Sequence, residues 1–190
     1  MNAPARTTAP AANGGAYTTT AIALHWAAAL LIACNVALGL SMVDLPFNPQ
    51  KFRWYGWHKW IGITVFLLAA ARLAWRALHP PPAPVAMPPW QLRAASAAHG
   101  LLYALMLAVP VSGWIYSSST GISIVYLGLF PLPDLVGKDK VLAETLKAVH
   151  VTLNFALAAL VFVHVGAAMK HHWVDRDGVL PRMLPFLRRP

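Results

Sequence analysis

V-H-V-T-L-N-F-A-L-A-A-L-V-F-V-H-V-G-A-A-M-K-H-H-W, residues Val149 to Trp173, decides the fold. It is apolar almost throughout, yet it carries His150 and His164, fourteen residues apart. On an α-helix that spacing separates the imidazoles by about 21 Å along the axis and keeps them within about 40° of one face. The stretch is long enough to cross the roughly 30 Å hydrocarbon core of a bilayer. An ionisable residue inside such a helix marks a functional site by default. Two on one face, near opposite ends, suggest two stacked metal centres.

The rest of the composition agrees with a membrane setting. Of 190 residues 58% are hydrophobic and 11% charged, with a mean hydropathy of +0.54. A soluble domain carries about 25% charged residues, which excludes that class here. The single cysteine, Cys34, lies inside an apolar run and offers neither a disulfide framework nor a thiolate cluster. Cysteine-ligated iron–sulfur and structural zinc chemistry are thereby excluded, and the eight histidines are the concentrated metal-ligand resource. The formal charge of +9 does not point to nucleic acid, because the basic residues flank apolar spans and suit lipid headgroups and topology.

Four stretches reach the length of a membrane span, at about Thr20–Met42, Trp57–Leu78, Ala94–Tyr116 and Val149–Lys170. The expected fold is an all-α membrane protein, a bundle of four transmembrane helices. Residues 1–18, rich in Ala, Pro, Gly and Thr, read as a disordered tail. Residues 19–175 form the helical domain, and 176–190 a basic tail. The linker His79–Pro89 is proline-rich and should be extended. Gly121–Val136 is apolar but short and interrupted by Pro131 and Pro133, so it reads as an interfacial loop and not a fifth span.

Charge sets the orientation. Arg6, Arg72, Arg76, Arg93, Lys170, Arg176, Arg182, Arg188 and Arg189 fall on one side. Lys51, Arg53, Lys59, Lys138, Lys140 and Lys147 fall on the other, with four of the six acids. The richer side belongs in the cytoplasm, so both termini are expected there, with the protein in a bacterial inner membrane.

With that topology His58 and His150 share the outer depth, and His25 and His164 the inner one. Each pair could supply two axial imidazoles to one haem iron, and two six-coordinate haems would give an electron path across the membrane. Taken singly, a histidine near a helix end could equally bond a carbonyl or headgroup. His99 lies at the depth of His25 and could replace it, or line a quinone pocket. His171 shares the face of His164 two turns on, so it or His172 could meet a quinone below the inner centre; solvated histidines at a helix C-terminus are the plainer alternative. Arg72 and Arg76, four apart on one face, could hold haem propionates or serve as topology anchors. Lys51, Arg53 and Lys59 surround His58 among Trp54, Tyr55, Trp57 and Trp60. They could concentrate a small anion there or merely contact headgroups.

Several motifs together carry a family resemblance. They are A-L-H-W (Ala23–Trp26), H-K-W-I-G (His58–Gly62), R-L-A-W-R (Arg72–Arg76), A-H-G-L-L-Y-A-L-M-L-A-V-P-V-S-G-W (Ala98–Trp114) and K-x-x-H (Lys147–His150), followed by His164. From about Thr19 onward the chain resembles the bacterial cytochrome b561 family of four-helix di-haem membrane proteins. The resemblance implies two haem b groups, ligands at His25, His58, His150 and His164, and ubiquinone as partner. Some members oxidise superoxide at the periplasmic face and reduce ubiquinone; others serve as electron carriers for a periplasmic redox partner. A superoxide:ubiquinone oxidoreductase is therefore the expectation. Its rival is a non-enzymatic conduit that docks a soluble partner at the apolar loop around Gly121–Pro133.

Overall fold

A computed structural model describes residues 16–187 of the chain. Most of the expected N-terminal tail, with Arg6, lies outside these residues, as do Arg188 and Arg189. Four long helices follow one another: α1 (Thr19–Val43), α2 (Pro49–Leu78), α3 (Pro89–Thr120) and α4 (Lys140–Lys170). All four are long and apolar enough to span a bilayer, and only 6–17% of the residues of their spans are buried within the chain. The outward faces are therefore apolar surface that requires lipid, which is where helices with internally satisfied backbones belong.

The helices overrun the expected spans because polar caps lie beyond the apolar runs. The Asn48 side chain accepts from the Lys51 N–H and Pro49 opens α2, eight residues before Trp57. Pro89 opens α3, and Gly121, with φ of 77°, closes it in the left-handed conformation a side chain disfavours. Asp139 caps α4 through the Leu142 N–H, so the helix opens at Lys140, nine residues ahead of Val149. Thr18 caps α1.

Each helix packs mainly on its neighbours in the chain, α1 on α2, α2 on α3 and α3 on α4. Inside a bilayer, lipid tails are as apolar as leucine, so close packing and small residues hold helices together. Ala28 of α1 and Ala69 of α2 meet Val65 and Met106 in one core, and Leu105 and Val109 of α3 meet Leu157 of α4 in a second.

Between α3 and α4 the loop contains a short hairpin of two-residue strands, β1 (Val125–Tyr126) paired antiparallel with β2 (Phe130–Pro131). It lies along α2: Trp60 Nε1 donates to the Val125 carbonyl at 2.7 Å, and the Thr64 and Tyr126 hydroxyls are 3.0 Å apart. The linker after α2 is free of regular structure, as its prolines dictate. At the same end of the bundle α4 passes into a π-helical turn (His171–Asp175), and the chain then folds back. Arg182 Nη1 donates to the Ala83 carbonyl at 2.7 Å and Trp26 Nε1 to the Met183 carbonyl at 2.8 Å, tying that segment to the linker and to α1.

Candidate functional site

Two pairs of histidines face one another at opposite ends of the bundle. His58 of α2 and His150 of α4 have ring centroids 6.1 Å apart with planes at 90°. His25 of α1 and His164 of α4 lie 6.3 Å apart with planes at 56°. Two imidazoles bound on opposite sides of one metal ion, with metal–nitrogen bonds of about 2 Å, would set their centroids about 6 Å apart. Both pairs have that spacing, and all four rings are half-buried.

The outer pair is prepared for ligation by its hydrogen bonds. His58 Nδ1 lies 3.2 Å from the Asn35 carbonyl, and His150 Nδ1 lies 3.1 Å from the Val109 carbonyl and 2.9 Å from Ser112 Oγ. A carbonyl can only accept, so each Nδ1 carries the proton and each Nε2 keeps its lone pair. Around the two rings lies an apolar cavity with about 1010 Å³ of empty space, part of it open to the exterior. Asn35, Gly62, Gly113 and Asn154 are among the residues that line it. The buried Asn35 Oδ1 has no hydrogen-bond partner among the described residues. Size, apolar walls and two convergent neutral imidazoles fit a flat, bis-imidazole-ligated haem.

The inner pair is arranged differently. Arg72 Nη2 donates to His25 Nδ1 at 3.2 Å, and the Arg72 guanidinium sits 5.3 Å over the Tyr103 ring. His99 also approaches His164, at 5.4 Å and edge-on, but it is exposed and closer than two ligands of one metal would be. His25 matches the ligand spacing better. Arg76 is exposed on the same face of α2.

The remaining expected site residues separate. Lys59 lines the outer cavity, with Nζ 3.5 Å from the Ile122 carbonyl. Arg53 is exposed and makes no hydrogen bond or ion pair among the described residues. Lys51 is not a free cation, since its Nζ donates to the Val43 and Leu45 carbonyls at 3.0 and 2.8 Å and closes the end of α1. His171 is joined to Asp177 and lies 3.2 Å from Asp175, which Lys170 also holds. His172 makes no hydrogen bond among the described residues and has Trp173 as its aromatic neighbour.

Sequence reading did not single out Asn35, Gly39, Ser112 or Asp177. Asn35 carried a usable signal, a lone amide in the middle of an apolar span. Gly39 carried none, because a glycine in a membrane helix is common.

The prokaryotic cytochrome b561 family model matches residues 16–186. Cytochrome b561 homolog 2 of Escherichia coli K12 is 34% identical over 173 residues, covering 88% of this chain and 90% of that protein. Cytochrome b561 homolog 1 of the same organism is 32% identical over 174 residues, 89% and 97% of the two chains. A probable superoxide oxidase, CybB, of Yersinia pestis is 31% identical over 178 residues, 90% and 97% of the two chains.

Proposed function

The chain belongs to the prokaryotic cytochrome b561 family, and from that premise we propose that it moves electrons from periplasmic superoxide, through two haem b groups, to ubiquinone. Membership makes it a multi-pass inner-membrane protein of electron transport, with haem b as cofactor. The finer reading rests above all on one observation, the two histidine pairs with ligand spacing at opposite ends of the bundle.

His58 and His150 would hold the outer haem, and His25 and His164 the inner one. When bound, each haem would supply a one-electron iron couple, and a histidine pair that held it would leave no position for oxygen. Two superoxide ions give up one electron each and leave as dioxygen; ubiquinone takes both electrons and two protons to become the quinol. Lys59 and Arg53 raise the local concentration of the anion near the outer pair. Lys51 adds charge, with two of its three ammonium donors already given to the Val43 and Leu45 carbonyls. With the inner haem held by His25 through Nε2, the His25 Nδ1 would carry the proton, and Arg72 and Arg76 would be the residues to hold a propionate. His171, oriented by Asp177, presents the opposite edge of its ring to a quinone oxygen, and His172 adjoins it. By the positive-inside rule the His171 end is cytoplasmic, together with both termini.

A second reading has support of its own. The hairpin loop exposes Ile122, Val125, Leu127, Leu129 and Phe130, an apolar surface that suits a docked soluble redox partner. In that case the chain would be a conduit and Lys59 incidental. Stopped-flow mixing of the purified oxidised protein with superoxide, after haem is counted as its pyridine adduct, separates the two. Two haems reduced rapidly by superoxide alone support the oxidase. Two haems that stay oxidised favour the conduit, and fewer than two overturn the paired-histidine reading.

A further inference from the structure

The outer pair is held by a device that occurs twice, on different helices. On α1 the Asn35 carbonyl accepts from His58, and at Gly39, four residues on, an added Cβ would stand 3.1 Å from His58 Cε1. On α3 the Val109 carbonyl accepts from His150, and at Gly113, again four residues on, an added Cβ would stand 2.9 Å from His150 Cε1. In a helix the carbonyl of residue i already takes the N–H of residue i+4, and the side chain at i+4 leans back over that turn. Glycine at i+4 leaves the carbonyl's second lone pair open to a ring from a neighbouring helix. Ser112 completes the α3 copy, its Oγ donating to the Val109 carbonyl at 2.7 Å while 2.9 Å from His150 Nδ1.

Among the described residues the inner pair has no such device. An added Cβ at Gly100 or Gly166, beside His99 and His164 in the chain, would meet nothing within 4 Å. His25 Nδ1 faces a guanidinium and not a carbonyl. The ring planes differ accordingly, 90° in the outer pair against 56° in the inner.

We propose that Asn35–Gly39 and Val109–Gly113, with Ser112, are positioning elements that set the outer imidazole planes at right angles and keep the proton on each Nδ1. This rests on the reading that His58 and His150 ligate one haem. Crossed axial planes leave the two iron orbitals that bond with the rings nearly equal in energy, and the oxidised low-spin centre then gives a strongly anisotropic electron paramagnetic resonance signal. Bonding of Nδ1–H to a carbonyl raises the basicity of the ligand and lowers the potential of the iron.

The test uses the purified full chain, with haem counted, resonance spectra recorded and potentials titrated. Gly39→Ala and Gly113→Ala should each reduce the anisotropy of the outer signal and shift the outer potential, leaving the inner signal in place. Loss of the outer haem alone has the same meaning. Ser112→Ala, which introduces no clash, should shift the outer potential at an unchanged haem count. Gly56→Ala and Gly100→Ala, where an added Cβ meets nothing, should alter neither centre. An unmoved outer signal and potential in both glycine variants, or equal shifts in both centres, overturns the proposal. If the glycine variants fail to accumulate, Ser112→Ala decides alone: a shift confined to the outer centre upholds the proposal, and no shift defeats it. Fewer than two haems in the unmodified protein would instead remove the ligand reading beneath it.

Discussion

Replacing Lys59 by Gln removes one positive charge from the lining of the outer cavity while keeping a side chain of similar reach. An anion that approaches to about 6 Å of the ammonium is attracted by about 0.7 kcal/mol in water and about 2.8 kcal/mol at an effective dielectric of 20. The cavity is partly open, so the lower third of that range applies, about 0.7–1.4 kcal/mol. That corresponds to roughly a three- to tenfold slower bimolecular reduction by superoxide at low salt. The screening length falls from about 10 Å at 0.1 M salt to about 3 Å at 1 M, so the two rates should converge as salt rises. Lys59→Arg should keep the rate, because it keeps the charge. Stopped-flow haem reduction across a salt series reads all three, with two haems verified in each protein. A Lys59→Gln rate equal to the unmodified one at every ionic strength, or a rate insensitive to salt from the start, would refute the electrostatic entry.

Two other substitutions address the inner end. His25→Ala should lose the six-coordinate inner haem, whereas His99→Ala should retain both haems with low-spin spectra; the opposite pattern would make His99 the ligand. His171→Ala and Asp177→Asn should slow quinol formation several-fold and leave haem reduction by superoxide unchanged, measured by quinone assay and stopped flow on the same preparations. Equal quinol formation in both variants would remove His171 from the quinone end.

The four spans and the four facing histidines were legible because membrane helices write their pattern locally: apolar length, and an ionisable residue where none is cheap. Depth matching from residue spacing brought His58 to His150 and His25 to His164, and the folded chain places those rings 6.1 and 6.3 Å apart. Helix ends were less legible. Asn48–Pro49 and Asp139 cap α2 and α4 in polar sequence, beyond the reach of any hydropathy window. The occupation of Lys51 was hidden because its acceptors are backbone carbonyls of Val43 and Leu45, and a carbonyl freed at a helix end has no residue-type signature. The same holds for the Asn35 and Val109 carbonyls, whose partners come from helices distant in the chain.

The unlike surroundings of the two pairs imply a direction for the electron. Each outer imidazole gives its Nδ1–H to a carbonyl, which strengthens the ligand and favours the oxidised iron. At the inner pair, Arg72 places a positive charge within hydrogen-bond reach of His25, with Arg76 one turn away, and positive charge favours the reduced iron. The outer centre should therefore have the lower potential, and an electron that enters beside Lys59 runs downhill toward Arg72. A potentiometric titration followed by resonance spectra, with signals assigned through His58→Ala and His25→Ala, measures the order. Arg72→Gln should lower the inner potential and narrow the gap, while the outer potential stays where it was. An outer centre above the inner one, or an inner potential indifferent to Arg72, would mean that the quinone's chemistry and not the protein's charges pulls the electron across.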